Sequence, residues 1–314
     1  MQIRLNPFVD DCPECGFDIR VWDVPDAIRT IRYARDLVAL ACESMDPALL
    51  DAQIGDLPSI ADHVESLTDV LRSTRNMIMR TNEDDRHDSS LQSILDTVHH
   101  EATATGNALR NLTSAELDAA LPDADTGHET VELAIRHLAH AVLHQQAAIG
   151  RTRRSLGDAL TIGVGEVIQV SGSGGGLPKT PLLTARVDKS GVVGDRQASR
   201  RHHGAPFQAL CLFSAEVIED FAAQGHPITY GSAGENVTIR GLKWAGMRAG
   251  AELQIGDVLC RLTAPAVPCS QNAPWFTDGD FTRLSHDKHP GHSRWYASVI
   301  TGGAINPGDP VHGL

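Results

Sequence analysis

Gly150-Arg-Thr-Arg-Arg-Ser-Leu-Gly157 divides this 314-residue chain into two chemically different parts. Residues 1–150 hold 26 Asp and Glu against 11 Arg and no Lys, a net of −15; residues 151–314 hold 14 acids against 16 Lys and Arg, a net of +2, which together make the chain's −13. A polar, glycine-bounded stretch where charge balance changes sign is a natural place for compact units to part. The length also exceeds what one hydrophobic core usually organises. Two units are expected, residues 1–155 and 156–314.

The first half has helical grammar. Leu57, Ile60, Val64, Leu67 and Leu71 recur at helical spacing behind Asp56 as N-cap, with Pro58 near the first turn. Similar patterns run over about 26–44, 90–111 and 129–152, broken most clearly at Leu121-Pro-Asp-Ala-Asp-Thr-Gly127. Four helices with modest loops predict a four-helix bundle. The second half changes to short β-branched runs at 166–170, 236–239, 258–262 and 297–301 between glycine and proline turns, with one helix over about 214–224. The fold class expected is therefore multidomain α + β.

Apolar residues are 41% and charged residues 21%, the balance of a soluble globular protein. No apolar run approaches the roughly 20 residues a bilayer helix needs, and Met1–Cys12 has no signal-peptide core, so a cytoplasmic location is expected. The acidic balance disfavours nucleic acid as a partner, because that binding rests on cations neutralising phosphates. Six cysteines are too sparse for a disulfide framework and are expected as thiols.

Two groups of metal-ligand residues stand out in the first half. His137, His140 and His144 stack along one stripe of the last predicted helix, and an i, i+4 histidine pair can chelate a metal. His63, on the second predicted helix, is the candidate third ligand; three neutral imidazoles would leave an open coordination position, as catalytic zinc-type sites do. Val131, Ile135, Leu138 and Val142 form a second, apolar stripe, so a structural role for the histidines stays open. Cys12 and Cys15 are a single CxxC, half a zinc knuckle, whose partners would be Cys42 or His99 and His100.

The second half carries a basic island. Residues 161–210 hold six cations, Lys179, Arg186, Lys189, Arg196, Arg200 and Arg201, against three acids, threaded with the glycines of Ser171-Gly-Ser-Gly-Gly-Gly176. Cations and closely approaching backbone amides suit a phosphate-bearing ligand; a solvated surface turn is the alternative. Gly194-Asp-Arg196, Arg201-His-His-Gly204, Gly234-Glu-Asn236 with Gly241-Leu242, Ile255-Gly-Asp-Val258 and Pro268-Cys269 stand in the order and spacing of the MOSC family, which residues 161–314 resemble.

That resemblance implies a small β-barrel-like fold handling molybdenum cofactor or sulfur, with Cys269 as the residue that ligates molybdenum or carries sulfur. It further implies Lys179, Arg196, Arg201, His203, Asn236 and Arg294 as phosphate and pterin contacts. A cationic pocket favours thiolate, so Cys269 is expected to be the chain's most reactive thiol. Cys211 and Cys260, inside apolar runs, read as small hydrophobes. Ala273-Pro-Trp-Phe-Thr-Asp-Gly-Asp-Phe281 and Ser293-Arg-Trp-Tyr296 supply aromatic residues to wall a cleft or to fill a core.

The stretch His63-Val-Glu-Ser-Leu-Thr-Asp-Val-Leu71, the pair in His140-Ala-Val-Leu-His144 and the opening Cys12-Pro-Glu-Cys-Gly-Phe-Asp18 are similar to actinobacterial DinB-like proteins. This resemblance implies a four-helix bundle with zinc or nickel held by His63, His140 and His144, and relatives that transfer low-molecular-weight thiols such as mycothiol. The combined expectation is a sulfur or thiol enzyme acting on a small thiol or sulfur compound, with a homodimer allowed. The rival is a molybdenum cofactor delivery protein whose bundle serves for docking.

Overall fold

The computed structural model describes residues 11–55, 57–81, 90–121, 130–159, 161–199 and 203–314. It divides into two compact units, 1–159 and 160–314.

In the first unit, α1 (Val24–Arg32), α2 (Ala34–Ala41), α3 (Ile60–Met79), α4 (Leu91–Leu109), the short α5 (Ser114–Leu117) and α6 (Val131–Ser155) surround a core that includes Ile31, Leu37, Leu67, Leu71, Val98, Ile135 and Val142. This corrects the four-helix expectation. The helix expected over 26–44 is two, parted at Tyr33, whose ψ of 4° departs from helical geometry although neither Gly nor Pro stands there. The start expected for α3 also moves. Ser59 is its N-cap, because Ser59 Oγ accepts from the Asp62 amide at 3.1 Å while the Asp62 carboxylate accepts from the Ser59 amide at 2.8 Å. Such reciprocal bonds satisfy two otherwise orphaned donors. Leu57 consequently lies outside the helix, 56% exposed. Asp56 and the break at 122–127 lie outside the described residues.

The second unit is a closed barrel. Its strands are β1 (Val164–Gly172), β2 (Thr180–Leu182), β3 (Ala185–Asp188), β4 (Gly191–Val192), β5 (Leu210–Ser214), β6 (Val237–Arg240), β7 (Glu252–Ile255), β8 (Val258–Pro265), β9 (Trp295–Thr301), β10 (Gly303–Ile305) and β11 (Pro310–Gly313). Seven of them run in the order β11-β7-β8-β9-β5-β6-β1, and β1 pairs back onto β11, which leaves the ring no open edge. Every pairing in the ring is antiparallel except β5 with β6. That one needs a crossover, supplied by α7 (Ala215–Ala223), capped by Ser214 and burying Ile218 and Phe221. The predicted strands fall within or beside β1, β6, β8 and β9. β2 extends β1, and β10, β3 and β4 form a separate small sheet. The two-residue loop Gly256-Asp257 closes β7 onto β8, where Ile255 pairs with Val258 and Gly256 takes φ +53°.

Among the described residues no helix is long and apolar enough to cross a membrane.

Candidate functional site

Cys269 follows β8 and Pro268 and opens a short 3₁₀ turn, Ser270–Trp275. It is the one cysteine of the six that is not buried. Its amide donates to Asn272 Oδ1 at 3.3 Å, and the buried Asn272 side chain donates in turn to the Ala233 carbonyl at 3.3 Å. Arg294, immediately before β9 and 7% exposed, joins the same two acceptors: its guanidinium donates to the Ala233 carbonyl and to Asn272 Oδ1 at 3.3 Å. The Nε–H of Arg294 has no partner among the described residues. The thiol-bearing turn is thus tied to the barrel by one amide and one guanidinium.

Beside it lies a second polar knot. The buried Asn236 side chain accepts from the Cys211 amide at 3.1 Å and donates to the Ser171 carbonyl at 3.2 Å and to Asp195 Oδ2 at 3.0 Å. Lys179 pairs with the same Asp195 carboxylate, which also accepts from the Ser173 amide at 2.8 Å. Here the expectation that Lys179 offers a charge to phosphate meets a finding: Asp195 balances that charge internally. Glu235, in the same segment, is fully buried, with one oxygen accepting from the Gly231 amide at 2.6 Å and the other without a partner among the described residues. Burial raises its carboxyl above the ordinary range.

The remaining expected contacts are dispersed. Arg196 is exposed, with its amide donating to the Ser173 carbonyl at 2.8 Å. His203 is half-buried, its Nδ1 3.1 Å from the Tyr296 hydroxyl. Arg201 lies outside the described residues. Phe276 and Trp295 prove to be core, buried and packed on Phe221 and His286 respectively. Asn272, Asp195 and Glu235 were given no role from sequence; the only signal was their place inside or three residues beyond the quoted motifs. A surface cavity of about 440 Å³, lined in part by Glu216, Lys243, Trp244 and His292, does not include Cys269, so cavity size does not locate this chemistry.

Burial raises the thiols of Cys42 and Cys211 to about 11 and of Cys260 to about 12. A thiol two units above its ordinary 9.0 holds roughly a hundredth of the usual thiolate near neutrality. Iodoacetamide at neutral pH is therefore expected to label Cys269 well before Cys42, Cys211 and Cys260, read by peptide mass spectrometry. Slower labelling of Cys269 than of those three would remove it as the reactive thiol.

In the first unit the fold brings together Cys12, Cys15, His140 and His144, whose ligand atoms all lie within 4.8 Å of one another. This joins the CxxC pair to two of the three expected histidine ligands. Cys12-Pro-Glu-Cys-Gly16 forms a tight turn: the Gly16 amide donates to the Cys12 carbonyl at 2.9 Å, the Cys12 amide to the Phe17 carbonyl at 2.8 Å, and Gly16 takes φ +80°, which glycine adopts without Cβ strain. His140 and His144 come from the middle of α6. Hydrogen bonds with Cys15, and with both histidines, outweigh burial and hold the Cys12 thiol far below its ordinary range. His63 is not in this group; its Nδ1 lies 3.0 Å from Gln145 Oε1 and its Nε2 3.3 Å from Thr152 Oγ1, so both ring nitrogens are engaged. His99 and His100 are exposed on α4, and Cys42 is buried outside the group. His137 is buried.

A closed seven-stranded barrel carrying one accessible thiol in a tethered turn defines the class of the second unit. Residues 199–312 match the MOSC domain family. Among curated proteins, the chain is similar to the uncharacterized protein YflK of Bacillus subtilis, 27% identical over 137 residues that make up 42% of this chain and 60% of that one. It is also similar to protein YiiM of Escherichia coli, 28% identical over 125 residues, 38% of this chain and 55% of that one. The chain thus spans less than two thirds of either relative. Solved structures of YiiM from Geobacillus stearothermophilus (24% identity, TM-score 0.40, covering 48% of this chain and 75% of that one) and from Escherichia coli (21%, 0.37, 48% and 69%) are also similar. Lys179 and Arg196 precede the matched segment, whereas Cys269, Asn236 and Arg294 fall inside it.

Proposed function

We propose that this chain is a sulfur- or molybdenum-cofactor-related protein whose acting group is Cys269, with a small thiol or sulfur compound as its substrate. The observation that carries this reading is that, of six cysteines, the one left accessible is the one at the motif position inside the MOSC segment. Thiolate is the form needed either way, as a soft metal ligand or as a sulfur nucleophile. Taking a sulfane sulfur from a persulfide donor, the Cys269 thiolate forms a new S–S bond while the donor leaves as its thiolate, so no external oxidant is required.

The residues present fit a molybdenum cofactor in two respects. Cys269 offers one soft sulfur donor, and Arg294 has a buried N–H unmatched among the described residues beside the turn that holds it. Bound there, the group would supply a two-electron redox centre. Cys269 would attach it, while Asn272 and Arg294 hold the attaching turn in place. Support for a thiol-transferring metal centre in the helical unit is weaker, because His63 spends both ring nitrogens on Gln145 and Thr152.

Replacing Cys269 by Ser is expected to abolish whichever load the purified chain carries, molybdenum near one equivalent by elemental analysis or cyanide-releasable sulfane sulfur. Turnover of a small substrate would mark an enzyme; transfer of intact cofactor to an acceptor, a delivery protein. If Cys269→Ser protein keeps its full content of both elements, the reading fails.

A further inference from the structure

We infer that Cys12, Cys15, His140 and His144 bind one Zn²⁺ in a closed four-ligand site that staples the N-terminal turn onto α6. This stands on the first unit alone and does not rest on the MOSC reading.

The donor set is two thiols and two imidazoles, the mixed sulfur and nitrogen set that zinc takes in structural sites. With Zn–S near 2.3 Å and Zn–N near 2.0–2.1 Å, the edges of a tetrahedral site are about 3.3–3.8 Å. Cys12 Sγ and His144 Nδ1 lie 3.5 Å apart, and the other ligand pairs need close by at most about 1–1.5 Å from their 4.8 Å bound. The turn is built for the purpose. Its two thiols sit on a CxxC held by its own backbone bonds, and His140 and His144 stand one helical turn apart on one stripe.

Charge closes the argument. Two thiolates with Zn²⁺ and two neutral imidazoles sum to zero, so the buried cluster carries no net charge in a low-dielectric setting. His144 turns Nδ1 towards Cys12 while its Nε2 lies 3.6 Å from the Glu14 carboxylate, which Arg151 in turn holds at 2.8 Å. A carboxylate behind a ligating histidine fixes the ring and raises its basicity. Phe17 packs its ring 4.8 Å from that of His140, and both residues are buried. Four protein ligands leave no position for a substrate thiol, so the metal is structural.

The test uses the full chain. Wild-type protein purified with zinc is expected to hold near one equivalent sensitive to this site, lost almost entirely in Cys15→Ser and in His144→Ala and kept in His63→Ala. Because those two variants can misfold, wild-type apoprotein is also loaded with Co²⁺. Tetrahedral visible bands with a thiolate-to-cobalt charge-transfer band are expected. Metal lost in His63→Ala but kept in Cys15→Ser would overturn the site in favour of three histidines, and so would a cobalt spectrum lacking thiolate charge transfer.

Discussion

Arg294→Met is expected to destabilise the second unit by about 3 kcal/mol, the range for removing one partner of a buried, charge-assisted network. Methionine keeps much of the volume and removes the guanidinium, so packing loss contributes little. What remains is a weakened hold on the Ala233 carbonyl and Asn272 Oδ1, each left with a single neutral donor at 3.3 Å. It also removes the positive charge that opposes the burial-driven rise of the fully buried Glu235. Since Asn272 positions Cys269 through its amide, the same variant should speed alkylation of Cys269 by loosening its turn. Urea unfolding followed by barrel tryptophan fluorescence measures the first effect and peptide mass spectrometry the second. A loss below about 1 kcal/mol would mean that Arg294 is not a tether.

Above pH 9 the barrel is expected to lose stability steeply. Burial raises the thiols of Cys211 to about 11 and Cys260 to about 12 from an ordinary 9.0, against the opposing charges of Arg294 and Lys179 at the first and Arg261 at the second. A raised folded value means that the stability is fully present below pH 9 and is lost as pH rises towards 11 and 12. In that window the unfolded thiols have ionised while the folded ones keep their protons, so the unfolded state binds fewer protons. Each thiol then costs about 1.4 kcal/mol per pH unit, and the two together roughly 2.7. Denaturant midpoints measured from pH 8 to pH 11 should show this slope in the parent chain. In Cys211→Ala/Cys260→Ala most of it should vanish, whatever the variant costs at neutral pH. An unchanged slope in the double variant would assign the alkaline loss to other groups.

What was legible in the sequence was local. The boundary expected after residue 155 from the charge reversal lies four residues from the division after residue 159. Helical spacing placed His140 and His144 one turn apart, and the accessible thiol at Cys269 stands where the motif put it. The failures are equally specific. Tyr33 parts α1 from α2 without a breaking residue, and Ser59 rather than Asp56 caps α3 because the nearby Asp62 returns its bond. Lys179 looked like a free cation until the chain brought Asp195 against it from another segment.

The metal cluster marks the same division. Sequence spacing alone determined that Cys12 with Cys15, and His140 with His144, would each present two ligands together, since a turn and an α-helix set those distances within four residues. Only the tertiary structure decided that the pairs meet, and that His63 faces Gln145 and Thr152 instead. The meeting joins Cys12 to His144 across 132 positions of chain. No local period specifies such a contact, because it depends on how whole helices pack and on which buried polar atoms must find partners once they do.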